Sequence, residues 1–317
     1  MQRTDLFGAK RDVIRPAIES LGTWPFTVWE IDEGAAGDVH RRVRDIVGDQ
    51  RDWAKLGTTG GTSFPDTNRK YAPSGRAHAV ARANRHAAVD GTYGFQHGAS
   101  IFSPVVGGMA LAMYAPHAAP GAAAPLCIDP FAGGGTRPVL AARWGLRYIG
   151  LEIRQEEVDF CNERIAALGI DRATARVVLG DAREVDKHIG YGVGDFLLTC
   201  PPYYDLEVYG GGPRDLSTLP TYGHFADAIA EVAIACHRAL RPGAVAVWVV
   251  GLHRDKGGVL LPIHHDVVHA HLRAGFKVKE EVILYRRHSG AGTRTRNFFM
   301  GKGFLARTHE YALVFVR

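Results

Sequence analysis

A short apolar strand running into three glycines is the feature that most limits what this chain can become. In CIDPFAGGGT, residues 126–129 read as the strand, the glycines as a tight turn, and residues 137–144 as the helix leaving it. The alternation then continues. Residues 147–153 (RYIGLEI) read as a second strand, and residues 155–168 as a helix with Val158, Cys161, Ile165 and Leu168 on one face. Residues 176–179 and 196–199 read as two more strands. Residues 225–240 carry Phe225, Ile229, Val232, Cys236 and Leu240 on one stripe, and Pro242-Gly243 reads as the helix stop. The apolar run 244–251 has the composition of a strand buried on both faces. A helix over 266–273 and strands over 277–285 and 310–316 complete the pattern. Such alternation predicts an α/β fold of Rossmann-like type: seven strands, mostly parallel, helices on both faces, and the last two strands an antiparallel pair at one edge.

The first 98 residues lack this periodicity, and TTGGTSFPDTN (58–68) reads as loop. The expected organisation is an accessory, DNA-binding region over 1–98 and a main domain over 99–317. Within 317 residues, 46% hydrophobic and 22% charged, disorder and coiled coil are excluded as the chain's overall character. Charge is more telling by position than in sum. Residues 68–89 hold Arg69, Lys70, Arg76, Arg82 and Arg85 without an acid, and residues 286–308 hold Arg286, Arg287, Arg294, Arg296, Lys302 and Arg307, again without one. Setting these eleven aside leaves 27 basic against 33 acidic side chains. Two cationic segments on an acidic body point to a polyanionic partner. In 286–308 the arginines alternate with Phe298, Phe299 and Phe304 among glycines, as in segments that order on nucleic acid.

Cys127, Cys161, Cys200 and Cys236 form no CxxC pair, and the fifteen histidines show no ligand spacing, so neither a disulfide framework nor a metal is expected. His264, His265, His269 and His271 read as residues capping or flanking a helix. The opening residues are charged throughout, unlike a signal peptide, and glycines and prolines break the charge-free run 105–128. A soluble, cytoplasmic protein is expected.

The chemistry gathers at strand ends. Asp129 ends the first strand just before the glycines, where a ligand meets bare backbone and a helix N-terminus. Glu152 ends the second, placed to bind both hydroxyls of a ribose, and Asp181 follows the third, placed to accept an adenine amine. Together they suit a nucleoside cofactor. A dinucleotide is disfavoured, because Pro138 stands where GxGxxG requires its last glycine. The fourth strand runs into TCPPYYDLEVY. Its two prolines stiffen the backbone and remove two amide donors, leaving carbonyls and Tyr203 at the sheet edge. An exocyclic amine, its lone pair delocalised into a ring, needs such acceptors to become nucleophilic, and an extruded base needs an aromatic platform.

DPFAGGGT followed by CPPY resembles the S-adenosylmethionine-dependent amino-methyltransferases that act on adenine N6 or cytosine N4 of DNA. The likeness is greatest to bacteriophage and bacterial members in which PPY continues as here in DLEVYGGGPRDLST. It runs from about Phe102 to the C-terminus and takes in the FSP at Phe102, Ser103 and Pro104 and the closing HEYALVF. The resemblance implies S-adenosylmethionine held by Phe102, Ser103, Asp129, Phe131, Gly133, Gly135, Glu152, Asp181 and Thr199. It implies a target-base pocket of Cys200, Pro201, Pro202 and Tyr203, with double-stranded DNA as partner and restriction-modification as a setting. The contacts to DNA are expected from Arg69, Lys70, Arg286, Arg287, Arg294, Arg296 and Lys302. One position departs from the family: Asp, Asn or Ser usually precedes Pro-Pro, and Cys200 is a weaker acceptor. The carbonyls beside Pro201, or Thr199, must then supply the acceptor. Thiol attack is not expected, because in cytosine-C5 enzymes the cysteine follows the proline. The likeness of TCPPYY to TSPPY favours cytosine N4 over adenine N6. RNA, a protein glutamine amide, or nucleic-acid binding without turnover are the alternatives.

Overall fold

The computed structural model describes residues 27–31, 102–118, 120–206, 208–285, 303–305 and 307–317. In chain order the strands are β1 (Val28–Glu30), β2 (Leu126–Asp129), β3 (Arg147–Glu152), β4 (Ala175–Leu179), β5 (Gly194–Thr199), β6 (Leu240–Val250), β7 (His253–Arg254), β8 (Leu260–Leu261), β9 (Lys277–Tyr285) and β10 (His309–Val316). The helices are α1 (Pro104–Tyr114), α2 (Thr136–Arg143), α3 (Gln155–Ala167), α4 (Val185–Ile189), α5 (Tyr222–Ala239) and α6 (Ile263–Ala274). Eight strands form one sheet in the order β1-β9-β10-β6-β5-β2-β3-β4, and β7 and β8 make a separate two-stranded ribbon. The run from β6 to β4 is parallel, whereas β10 lies antiparallel between β6 and β9. The expected antiparallel pair is therefore present but is not the edge. Val28–Glu30, from the stretch expected to stand apart, adds to β9 in parallel and becomes the outer strand.

Period-two alternation along the strands builds two cores. On one face Cys127, Phe196, Leu198, Val247, Val249 and Val314 pack with α1, α2 and α3 through Leu111, Leu140 and Ile165. On the other, Ile128, Leu197, Trp248, Val250, Leu313 and Phe315 pack with α5 and α6 through Val232, Cys236 and Val267. A strand covered on both sides must be apolar throughout, which is why β6 reads as AVAVWVV in its inner half.

The ends differ in detail from the sequence reading. Helix α5 stops at Ala239, and Leu240 already belongs to β6, so Pro242-Gly243 lies inside the strand's entry rather than at a helix stop. The histidines expected to flank a helix lie within α6. His271 is fully buried, stacked on Phe315 and edge-on to Trp248, because its turn faces the sheet.

The chain runs outward from β2 through β3 to β4, then crosses back to β5 and β6. The crevice between the carboxyl ends of β2 and β5 is therefore the point where the winding reverses. Open α/β sheets bind ligands at such a point. The glycine turn leaves β2 and the CPPY segment leaves β5, so the fold brings both motifs to that crevice.

Candidate functional site

The glycine turn is held from below. Asp129, fully buried, accepts from the Phe131 amide at 3.0 Å, the Thr199 hydroxyl at 2.6 Å, the Tyr148 hydroxyl at 2.7 Å and Arg137 Nε at 2.5 Å. Arg137 also donates to the Phe131 carbonyl and lies 4.7 Å over the Phe102 ring. One carboxylate thus ties together β2, β3, β5, α2 and the FSP segment. It also places Asp129 and Thr199, expected to touch the cofactor, beneath the turn: both are completely buried, and the Thr199 hydroxyl is committed to Asp129. With no exposed surface, Thr199 does not stand in as the missing acceptor beside Cys200.

The turn's upper backbone is shaped by α3. Cys161 donates its thiol to the Gly133 carbonyl at 2.7 Å, and Arg164 donates to the Gly134 carbonyl at 2.9 Å. Burial, with Glu157 and Glu152 nearby, pushes the Cys161 thiol well up, so it remains a protonated donor. Gly133 and Gly135 take φ of 51° and 80°, the left-handed region where a side chain is strained. Gly135 caps α2 without a side chain, and no acid sits in that helix's first turn, so no side chain there answers its leading amides.

Glu152 stands at the end of β3, its side chain 10% exposed, accepting from the Arg154 amide at 3.0 Å. Burial raises its pKa against the opposing Arg154 charge. Asp181 caps a single turn after β4 and is gripped by Arg183, with Nη2 at 2.6 Å and Nε at 3.0 and 3.2 Å from its two oxygens. Burial works to raise Asp181, but the Arg183 hydrogen bonds and charge hold it below the usual carboxylate value. Ser103 is spent as the cap of α1, accepting from the Val106 amide. Phe131 packs edge-on against Trp248, with ring centroids 6.1 Å apart.

The second motif forms the other wall. The Cys200 sulfur lies 3.3 Å from the Tyr203 hydroxyl, and burial, only partly opposed by Arg137, pushes the thiol's pKa up to about 11. A thiol so held is protonated near neutrality and is no nucleophile. The Tyr203 ring lies against Gly251, just past β6, where an added Cβ would sit 2.4 Å from ring carbon Cε2. Tyr204 adopts φ 58°, the one non-glycine residue at positive φ among those described, and packs against Tyr222 and Phe225. Next, Asp205 meets His253 of β7 at 2.9 Å. The following loop is closed on itself: Asp215, buried, accepts from the amides of Gly211 and Ser217 and from the Ser217 hydroxyl. It runs over the ends of β3 and β4, with Tyr209 facing Arg154, Gly211 against Ile153, and the Arg214 carbonyl 3.5 Å from Arg183.

Sequence reasoning found the two motifs and the acids at the strand ends. It missed Arg137, Tyr148, Cys161, Arg164, Gly251 and His253, which act only through tertiary contact. Asp205 lay inside the quoted motif, but nothing marked its partner. Arg69, Lys70, Arg286, Arg287, Arg294, Arg296 and Lys302 lie outside the described residues, as does nearly all of 1–98. All four cysteines are free. Among the described residues no group of His, Cys, Asp or Glu is placed to hold a metal ion, and no helix is long and apolar enough to cross a membrane.

No family model matches this sequence. A curated relative, the 4-amino-L-phenylalanine/4-methylamino-L-phenylalanine methyltransferase of Streptomyces pristinaespiralis, is 30% identical over 159 residues, which are 50% of this chain and 49% of that protein. The chain thus spans about half the length of the relative it matches. Among solved structures, TrmN from Thermus thermophilus aligns with 14% identity and a TM-score of 0.46, covering 68% of this chain and 49% of that one. A candidate DNA modification methylase from the same organism, in complex with S-adenosyl-L-methionine, aligns with 26% identity and a TM-score of 0.33, covering 44% and 53%. A TehB-like methyltransferase from Corynebacterium glutamicum aligns with 15% identity and a TM-score of 0.40, covering 77% and 100%. Strand order, antiparallel β10 and the glycine turn after β2 give this chain a Rossmann-like α/β fold, a mostly parallel sheet with helices on both faces.

Proposed function

We propose that this chain binds S-adenosylmethionine and transfers its methyl group to the exocyclic amine of a base flipped out of double-stranded DNA, cytosine N4 in preference to adenine N6. The observation that carries the reading is the meeting of the glycine turn and the CPPY segment at one crevice, joined by the 2.6 Å bond from Thr199 to Asp129. The residues present fit the cofactor. Gly133 and Gly135 hold the turn after β2 at positive φ with no side chain above it, the first amides of α2 suit a carboxylate, Glu152 suits the ribose hydroxyls, and Asp181, steadied by Arg183, stands past β4 on the side of the adenine. Once bound, the cofactor supplies an electrophilic methyl carbon. The chain's part is to orient the acceptor: Tyr203 offers the stacking face, and the Pro201 and Pro202 segment offers rigid carbonyls to the amine's protons.

The curated relative favours a second reading, a free arylamine as acceptor. An arylamine and a nucleobase amine share a nitrogen whose lone pair is delocalised into a ring, so one pocket chemistry serves both. The cationic segments support DNA over the small molecule, since neither a neutral amine nor an amino acid calls for eleven basic residues in two clusters. Tritium transfer from labelled cofactor to DNA, RNA or 4-amino-L-phenylalanine separates the readings. Digestion of the modified DNA to nucleosides is expected to yield N4-methylcytosine by mass. N6-methyladenine would overturn the choice of base, and labelling of the arylamine alone would overturn DNA. Gly133→Val is expected to abolish cofactor binding in calorimetry, because φ 51° disfavours any branched side chain there.

A further inference from the structure

The candidate pocket lacks the strong acceptor that Asp, Asn or Ser before Pro-Pro would give, and Thr199 is turned away to Asp129. A carboxylate–imidazole pair lies beside it. Asp205 follows Tyr203 by two residues, and His253 follows Gly251 by two, while Gly251 and the Tyr203 ring are in contact. Both arms therefore leave the same packing point, and they meet at 2.9 Å between Asp205 Oδ1 and His253 Nε2, with side chains 23% and 12% exposed. A carboxylate only accepts, so the Nε2 proton is fixed on that bond and Nδ1 carries the lone pair. Among the described residues His253 Nδ1 has no hydrogen-bond partner, and it is not one of the sealed-off buried atoms. An oriented imidazole with one nitrogen held and the other open is the arrangement of a general base.

We propose that His253, oriented by Asp205, is the proton acceptor of the target-amine pocket, supplying from outside the CPPY motif what Cys200 does not. The inference rests on the methyltransferase reading above. As the amine nitrogen bonds to the methyl carbon, the carbon–sulfur bond breaks and its electron pair stays on sulfur, turning the sulfonium into a thioether. The nitrogen's surplus proton passes to His253 Nδ1, and the Asp205 carboxylate faces the resulting imidazolium. Tyr203 and Cys200 are the titratable groups of the adjoining motif, Arg254 follows His253 on the ribbon, and Glu310 of β10 acts on the motif, its charge raising both Cys200 and Tyr203.

The test uses the full chain with tritium-labelled S-adenosylmethionine and plasmid DNA. His253→Gln is expected to slow single-turnover transfer about 100-fold, within the usual range for losing a general base, with cofactor affinity by calorimetry unchanged. The parent's rate is expected to fall on the acid side, where imidazoles titrate, and that limb is expected to vanish in His253→Gln. Asp205→Asn is expected to keep the limb but displace it to lower pH. Without any cofactor, the His253 ring proton resonance, identified by its loss in His253→Gln, is expected to titrate at lower pH in Asp205→Asn. A folded His253→Gln with the parent's rate and acid limb would overturn the proposal while leaving the methyltransferase intact. A parent that labels no acceptor at any pH would overturn the methyltransferase reading itself.

Discussion

Asp129 is the residue on which the two motifs meet. Its carboxylate is fully buried and its charge is answered by one cation, Arg137, at 2.5 Å. A buried pair stabilises little in net terms, but removing one partner strands the other in a medium that cannot solvate it. Arg137→Met is therefore expected to destabilise the protein by about 3–5 kcal/mol, read from urea denaturation midpoints. A change under about 1 kcal/mol would mean that water reaches Asp129. Gly251 is the second residue whose role is fixed by contact. An alanine there would put Cβ 2.4 Å from the Tyr203 ring, and the ring, not the strand, would give way. Gly251→Ala is expected to cut methyl transfer by about 100-fold, the order of effect that follows a 1 Å misplacement. Cofactor affinity is expected to stay at the parent's level, since the atoms nearest to a Cβ at Gly251 all belong to Tyr203. Equal losses in binding and transfer would place Tyr203 in the cofactor site instead.

At the scale of elements, α6 is bound to the sheet by a buried histidine. His271 donates through Nδ1 to the Val267 carbonyl at 2.7 Å and stacks on Phe315 at 4.0 Å between ring centroids. Burial lowers its pKa to about 3, against that hydrogen bond, which would raise it. An unfolded histidine titrates near ~6.5, so between these values the unfolded chain holds a proton that the folded one excludes. This contribution is complete above the unfolded value and is lost progressively as pH falls toward about 3. Across that window stability is expected to drop by up to about 1.4 kcal/mol per pH unit from this group alone. His271→Phe, which suits the ring's aromatic neighbours, is expected to reduce that slope by one proton in denaturation curves taken from pH 4 to 7. An unchanged slope would mean that His271 is protonated in the folded state. The same packing explains why these histidines do not flank the helix: the face that carries His271 is the face that covers β6 and β10.

For the whole molecule, the arrangement of charge is the argument for DNA. Neutralising Arg294 and Arg296 together is expected to flatten the salt dependence of log K for DNA by about two units of slope, measured by anisotropy across a salt series. An unchanged slope would show that these arginines face solvent, and lost sequence preference with slope intact would make them base readers. The sequence alone determined the order of β2 to β6, β9 and β10 and of the helices α2, α3, α5 and α6 between them, because a parallel sheet covered on both faces demands uniformly apolar strands and helices with one apolar stripe. It also marked the turn after β2, where Gly133 and Gly135 take a positive φ that other residues tolerate poorly. Tertiary structure decided the rest. Whether an acid at a strand end faces a ligand or the core depends on neighbours distant in sequence, and so Asp129 and Thr199 lie below the site while Glu152 lies beside it. The addition of Val28–Glu30 to the outer edge is likewise decided by pairing with β9, since three residues carry too little periodicity to announce a strand. His253 and Asp205 stand 48 residues apart and meet only because β5 and β6 are neighbours, an adjacency set by the sheet's reversal at β2.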